Sequence, residues 1–177
     1  VSGTYKLLYG KEFINEKIWD YLFKISPNSF FQTNSYQVKI LYDYIIKIAN
    51  LKKSDVLYDL YCGTGTIGIY VSKLVKKVYG IEIVENAVED ASHNVKINNI
   101  NNIEFYHGDL KKILNNDTIS KIEKPDVVIN SAVKVGLNYC EKNYNDAFAV
   151  NSVGPLNLAK LCNKLNITLK LQILIRL

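Results

Sequence analysis

Val56-Leu-Tyr-Asp-Leu-Tyr-Cys-Gly-Thr-Gly-Thr-Ile-Gly-Ile-Tyr70 is the stretch on which the fold turns. It opens as a short apolar run suited to a buried parallel strand, breaks at Gly63 and Gly65, and resumes as an apolar segment that reads as a helix. A strand, a glycine turn and a helix start in direct succession leave unpaired backbone N–H groups beside a surface with no Cβ atoms to hold a ligand away. Such a turn suits a nucleotide-like cofactor.

Gly63, Gly65 and Gly68 also satisfy the G-x-G-x-x-G spacing of dinucleotide sites, so spacing by itself leaves the cofactor open. Asp59 at the strand end, followed by Leu-Tyr-Cys before the first glycine, resembles motif I of S-adenosylmethionine-dependent methyltransferases. A carboxylate there repels a pyrophosphate but can orient the cationic methionine end of S-adenosylmethionine. The balance favours that cofactor over a dinucleotide.

Outward from this stretch, Val38, Leu41, Ile45 and Ile48 give one apolar face to a helix expected over about 36–50, with Ser35 as its cap. The glycine-turn helix is expected to reach about Lys76. A second strand, Lys77-Val-Tyr-Gly-Ile-Glu82, ends in an acid about 20 positions after the first glycine, where a carboxylate can take both ribose hydroxyls. The alternative for Glu82 is an exposed acid opening a loop. Residues 86–98 read as a helix, and Asn101-Asn-Ile-Glu-Phe-Tyr-His107 as a third strand followed by Gly108-Asp109. Asp109 can accept from an adenine amino group or cap the short segment 110–114. The alternation predicts an α/β, Rossmann-like, doubly wound and mainly parallel sheet.

Before it, residues 1–26 alternate apolar and polar positions, as in Tyr5-Lys-Leu-Leu-Tyr9 and Tyr21-Leu-Phe-Lys-Ile25, and read as short antiparallel strands at the edge of a neighbouring β subdomain. The expected organisation is this edge, a cofactor-binding half over 27–123, and a tail over 124–177 that completes the sheet with a fourth strand, a helical region split near Gly154-Pro155 and a fifth strand from Ile167 to Ile175.

The chain has 177 residues, 48% of them apolar, which is enough for one domain with a sizeable core. No apolar run approaches the roughly 18 residues of a membrane span, and no signal-peptide pattern opens the chain, so a cytoplasmic protein without a membrane partner is expected. Cys62, Cys140 and Cys162 are widely spaced, so neither a disulfide framework nor a metal site is expected. A net charge of +5 is compatible with a nucleic-acid partner, although Lys73, Lys76 and Lys77 also suit an ordinary solvated helix end. Trp19 and the many tyrosines read as core or surface filler, and neither His93 nor His107 has a partner pattern suggesting catalysis.

Three motifs in order, Ile25-Ser-Pro-Asn-Ser-Phe-Phe-Gln-Thr-Asn34, Asp59-Leu-Tyr-Cys-Gly-Thr-Gly-Thr66 and Tyr79-Gly-Ile-Glu82, make residues 7 to about 114 resemble the RNA 5-methyluridine methyltransferases that modify uracil in ribosomal and transfer RNA. The resemblance implies that Gln32, Tyr61 and Glu82, with an acid near the fourth strand, contact S-adenosylmethionine, and that RNA is the partner. It also implies a catalytic thiol in a loop beyond the fourth strand and a base further on. Here that strand should end in Asp-Pro-Pro but reads Pro125-Asp-Val-Val-Ile-Asn130, then Ser131-Ala-Val-Lys-Val-Gly136, so no catalytic residue is assigned.

From about Lys124 to residue 169 the chain resembles instead the dTDP-4-dehydrorhamnose reductases, through Pro125-Asp-Val-Val-Ile-Asn130, Cys140-Glu and Asn145-Asp-Ala-Phe-Ala-Val-Asn-Ser-Val-Gly-Pro-Leu-Asn-Leu-Ala159. An NADPH-dependent reductase fragment and a non-enzymatic gene-fusion product are therefore the alternatives. Asn130 and Asn151 read as structural or capping residues. The absence of methionine, the Val1 start and a terminal run that fits neither family suggest a truncated or hybrid chain.

Overall fold

The computed structural model describes residues 6–27, 29–32, 34–115 and 122–171. A five-stranded sheet in which every neighbouring pair is parallel forms its centre. The strands are β3 (Val56–Leu60), β4 (Lys77–Glu82), β5 (Ile103–His107), β6 (Val127–Asn130) and β7 (Thr168–Leu171). They lie in the order β5-β4-β3-β6-β7, so the chain winds outward one way from β3, then returns and winds the other way. That reversal creates a crevice between the C-terminal ends of β3 and β6, where open α/β sheets bind ligands.

Burial on both faces follows from the strand sequences. Leu57, Val78 and Ile129 enter one apolar layer with Ile67, Ile69 and Val71, whereas Tyr58, Leu60, Tyr79, Ile81 and Val128 enter the opposite layer with Ile113 and Cys162. Every residue of β3 is buried, as expected of the central strand of a covered parallel sheet.

Ahead of the sheet, β1 (Ile14–Ile18) and β2 (Tyr21–Ile25) form an antiparallel hairpin, with Ile14 opposite Ile25. Trp19 occupies its turn at φ 53° and stacks on Tyr70, ring centroids 3.8 Å apart. Of the expected early strand at 5–9, residues 6–9 are not extended into a strand, and Tyr5 lies outside the described residues.

The helices are α1 (Ser35–Ala49), α2 (Thr66–Val71), α3 (Glu85–Ile97), α4 (Leu110–Asn115), α5 (Leu137–Lys142), α6 (Tyr144–Phe148) and α7 (Gly154–Lys164). Asn34, not Ser35, caps α1, its side chain accepting the Gln37 N–H at 3.1 Å. Serine and asparagine are equally good caps, so the local sequence did not choose between them. The glycine-turn helix stops at Val71 and tightens into a 3-10 turn over Ser72–Leu74, short of Lys76. The tail helix does not split at Gly154-Pro155. A π-helical turn over Ala149–Val153 joins α6 to α7, and Pro155, in the first turn of α7, has no N–H to lose there. The described part of the fifth strand spans Thr168–Leu171, one residue after the expected start at Ile167, and residues 172–175 of the expected stretch lie outside the described residues.

Candidate cofactor-binding site

The turn after β3 is built by three glycines with three different reasons. Gly63 lies at φ 55°, and a Cβ there would meet only the Phe30 carbonyl oxygen, at 3.8 Å. Its upper face is open to an approaching ligand. Gly65 lies at φ 79°, and a Cβ would stand 2.7 Å from the Phe105 ring and 3.2 Å from Ala91. Gly68 is helical, and its Cβ would press on Val78 at 3.2 Å, so this position lets α2 lie close on β4.

Asp59 lies beneath the turn and is completely buried. Its Oδ2 accepts the Gly68 N–H at 3.1 Å, while Oδ1 is buried with no protein partner. Burial pushes its carboxyl up to about 7; the Gly68 N–H opposes this and the charge of Glu82 adds to it. Asp59 is thus an inward brace with one open acceptor.

Glu82, 8% exposed at the end of β4, grips the turn from the side. One oxygen accepts the Gly63 N–H at 3.0 Å; the other accepts Ile83 N–H at 2.8 Å and Val84 N–H at 3.0 Å. The exposed loop acid that the sequence left open is therefore not what forms. Asp109 follows β5, its Oδ1 accepting the Lys112 N–H at 3.3 Å in the manner of a helix cap. It also lines, with Tyr61, Glu82, Ile83 and Gly108, a small cavity at the ends of β4 and β5.

Tyr61 stands between this cavity and a second one lined by Phe30, Gln32, Gly63, Thr66 and Ser131, so one aromatic wall serves both. Its backbone is held at φ 60°, uncommon for a residue with a Cβ, and the residue is 43% exposed. Burial raises its hydroxyl pKa, and the charges of Asp109 and Glu82 raise it further. Of the seven expected residues, Gln32, Tyr61, Gly63, Glu82 and Asp109 line the two cavities at this end of the sheet, whereas Asp59 and Gly65 are packed beneath the turn and line neither.

Sequence reasoning missed the buried polar groups that hold Ser26 and Ser29, which precede Gln32 in the chain. Asp90 and Asn94 on α3 are buried polar groups. Asp90 accepts from Ser26 N–H at 2.8 Å, Ser26 Oγ at 2.8 Å and Ser29 Oγ at 2.7 Å, and pairs with Lys24 at 3.2 Å. Burial pushes its carboxyl up, but the bonds from Ser29, Ser26 and Lys24 outweigh this and hold it below the usual range. Asn94 bonds both backbone groups of Lys24 and the Thr64 carbonyl in the glycine turn. The available signal was three polar residues, Asp90, Asn94 and Asn98, spaced four apart on a helix otherwise due to bury that face.

Cys62 is buried under the turn, its thiol donating to the Gly63 carbonyl at 3.9 Å, and burial pushes it well above its usual range. Cys140 donates to the Lys134 carbonyl at 3.5 Å, and Cys162 is packed in the core. Among the described residues, no cluster of side chains could hold a metal ion, and no helix is long and apolar enough to cross a membrane.

Residues 2–111 match the family model for tRNA (uracil-5-)-methyltransferases, and residues 63–174 match that of the NAD dependent epimerase/dehydratase family. An uncharacterised RNA methyltransferase of Oceanobacillus iheyensis is 42% identical over 80% of the chain, and one of Protochlamydia amoebophila is 40% identical over 88%. The chain spans only 30% and 35% of those two proteins. The crystal structure of Pyrococcus abyssi tRNA (uracil-54, C5)-methyltransferase in complex with S-adenosyl-L-homocysteine superposes on 73% of this chain, and on 30% of its own, with a TM-score of 0.57 and 37% identity. With a match over more than half its length, and with a second α/β family's pattern overlapping it toward the C-terminus, the chain belongs to the tRNA (uracil-5-)-methyltransferase family.

Proposed function

We propose that this chain carries the S-adenosylmethionine-binding half of a cytoplasmic RNA uracil-5 methyltransferase acting on transfer or ribosomal RNA, and that by itself it binds cofactor without transferring a methyl group. The observation that carries this reading is the meeting of the open Gly63 turn, the Tyr61 wall, Glu82 at the end of β4 and Asp109 just after β5 at one end of the sheet. The residues fit the cofactor at two points: the open face of Gly63, and the small cavity whose Glu82 and Asp109 edge offers carboxylates to the polar atoms of a nucleoside. Gln32 offers an amide to the amino-acid end, and Glu82 takes ribose hydroxyls by exchanging some of its backbone donors.

When bound, S-adenosylmethionine supplies an electrophilic methyl group. Uracil C5 becomes nucleophilic enough to accept it only after a thiolate adds at C6. None of the three cysteines serves that role in this reading. Cys62 is buried and held protonated, while Cys140 and Cys162 sit in the tail helices α5 and α7.

The match of residues 63–174 to the epimerase/dehydratase model favours a second reading, a reductase fragment binding NADPH. The buried carboxylate of Glu82 at the end of β4 opposes it, since a charge there repels a 2′-phosphate. Calorimetric titration of the purified chain with S-adenosylhomocysteine and, in parallel, NADPH separates the two. Saturable binding of the first, weakened at least about tenfold in Glu82→Ala, is expected; binding of NADPH alone would transfer the assignment to the reductase, and binding of neither would leave the gene-fusion alternative. Appearance of methyl label in uracil of a target RNA would overturn the claim that the chain transfers nothing.

A further inference from the structure

Asp90 and Asn94, on one face of α3, and Asn98, its C-cap, form a row that meets alternate residues of β2 and its continuation. Asn98 takes the N–H of Leu22 at 3.0 Å and donates to its carbonyl at 2.7 Å. Asn94 does the same to Lys24, at 2.7 and 3.1 Å, and Asp90 takes the N–H of Ser26. Four helical residues rise about 6 Å and two strand residues about 6.6 Å, so the three pairs stay in register over two steps. The helix completes the strand's free edge with side chains.

The chemistry changes along the row. At Leu22 and Lys24 the strand offers one donor and one acceptor, which a carboxamide satisfies together. At Ser26 the strand ends, and the chain offers only donors: Ser26 N–H, Ser26 Oγ and Ser29 Oγ, with the Lys24 ammonium beside them. An acceptor-only carboxylate replaces the carboxamide there. It fixes the turn closed by Ser29 N–H on the Ser26 carbonyl, just before Phe30 and Gln32 line the cleft. Asn94 carries the link to the other wall, donating to the Thr64 carbonyl at 3.2 Å.

We infer that Asp90 and Asn94 are positioning residues for the cofactor: by tying Ser26 and Ser29, ahead of Gln32, and the glycine turn to one helix face, they set the width of the cleft between chain segments distant in sequence. The inference rests on the cofactor reading above. Asn98 belongs to the same row, yet its contacts stop at Leu22 and at its own helix, so it separates stability from positioning.

The test is calorimetric titration of the whole chain with S-adenosylhomocysteine, alongside thermal unfolding, for wild type, Asn94→Ala, Ser29→Ala, Ser29→Thr and Asn98→Ala. Asn94→Ala is expected to weaken binding about tenfold and Ser29→Ala about threefold. Ser29→Thr, which keeps the hydroxyl, should restore it. Asn98→Ala should lower Tm and leave affinity within about twofold. Ser29→Ala removes a single hydroxyl and so keeps the test decisive if the Asn94 variant fails to fold. Wild-type affinity in both Asn94→Ala and Ser29→Ala, or equal weakening by Asn98→Ala, overturns the positioning role alone. No saturable binding in wild type overturns the cofactor reading and the positioning role with it.

Discussion

Helices α3 and α7 flank the same sheet, and their burial differs in kind. Over 13 residues α3 buries Ala87, Asp90, Ala91 and Asn94, two of them polar groups with long-range partners. Over 11 residues α7 buries only Cys162, and α5 buries nothing. Strand β6 belongs with the first region, since Val127, Val128 and Ile129 are all buried. The change from specific to permissive packing therefore falls after β6, close to the crevice, and not at the point near residue 124 where the sequence pattern changes. A tail held mainly by one sheet edge and one thin apolar layer accepts a foreign sequence at low cost, whereas the cofactor half, keyed by buried polar groups, does not.

Equivalent substitutions in the two regions put this contrast at risk. Gly80, in β4, faces the Phe105 ring and the Cys62 thiol, and an added Cβ would stand 2.4 Å from the first and 2.9 Å from the second. Gly154 starts α7 with ordinary helical backbone, and its Cβ would meet only the Ala149 carbonyl, at 3.3 Å. We expect Gly80→Ala to cost about 3 kcal/mol by urea unfolding, through overpacking between β4 and β5. Gly154→Ala should stay within about 1 kcal/mol of wild type, because better helix propensity offsets the tight contact. Equal costs would end the distinction between the halves.

A smaller effect depends on pH and belongs wholly to the first region. Asp59, raised to about 7 by burial, binds its proton more tightly in the folded chain than in the unfolded one. Between the unfolded value near 4 and about 7, the folded state holds the extra proton, so stability falls as pH rises through this window and levels off above it. From pH 7 down to pH 5 the chain should gain about 2 kcal/mol. Below about pH 4 the trend reverses, as the lowered Asp90 carboxyl is protonated and its bonds to Ser26 and Ser29 are lost. Urea unfolding across pH should show both limbs in wild type and only the acid limb in Asp59→Asn; an unchanged Asp59→Asn profile would sink the assignment of the upper limb.

The parts legible in the sequence are those whose causes are local. Strands β3 and β4 fall on the residues expected, because each is a short, mainly apolar segment that ends in or beside an acid and is bounded by turn chemistry. The glycine turn and Glu82 were legible because a short motif fixes both. What escaped was non-local. Asp90 reaches Ser26 across 64 positions and Asn98 reaches Leu22 across 76, and nothing near either residue announces the partner. Gly80 sits inside a recognised motif, yet its reason is Phe105 on the next strand. Asp59 shows a limit of another kind: its charge was readable, but its complete burial depends on Gly68 folding α2 back over it.

The smallest expected effect isolates burial from hydrogen-bond geometry. Asn151, in the π-helical turn of the tail, takes the N–H of Lys134 at 2.8 Å and donates to its carbonyl at 2.9 Å, the same two-bond grip that Asn94 has on Lys24. The geometry is shared; the surroundings are not. Asn94 is completely buried, so removing its carboxamide strands two backbone groups of Lys24 and the Thr64 carbonyl away from water. Asn151 is exposed, so water takes its place, and the Cys140 thiol still reaches the Lys134 carbonyl. Asn151→Ala should therefore cost about 0.5 kcal/mol in urea unfolding, against about 2 kcal/mol or more for Asn94→Ala. If the two cost the same, geometry and not burial sets the worth of this grip, and the tail is as specifically built as the half that holds the cleft.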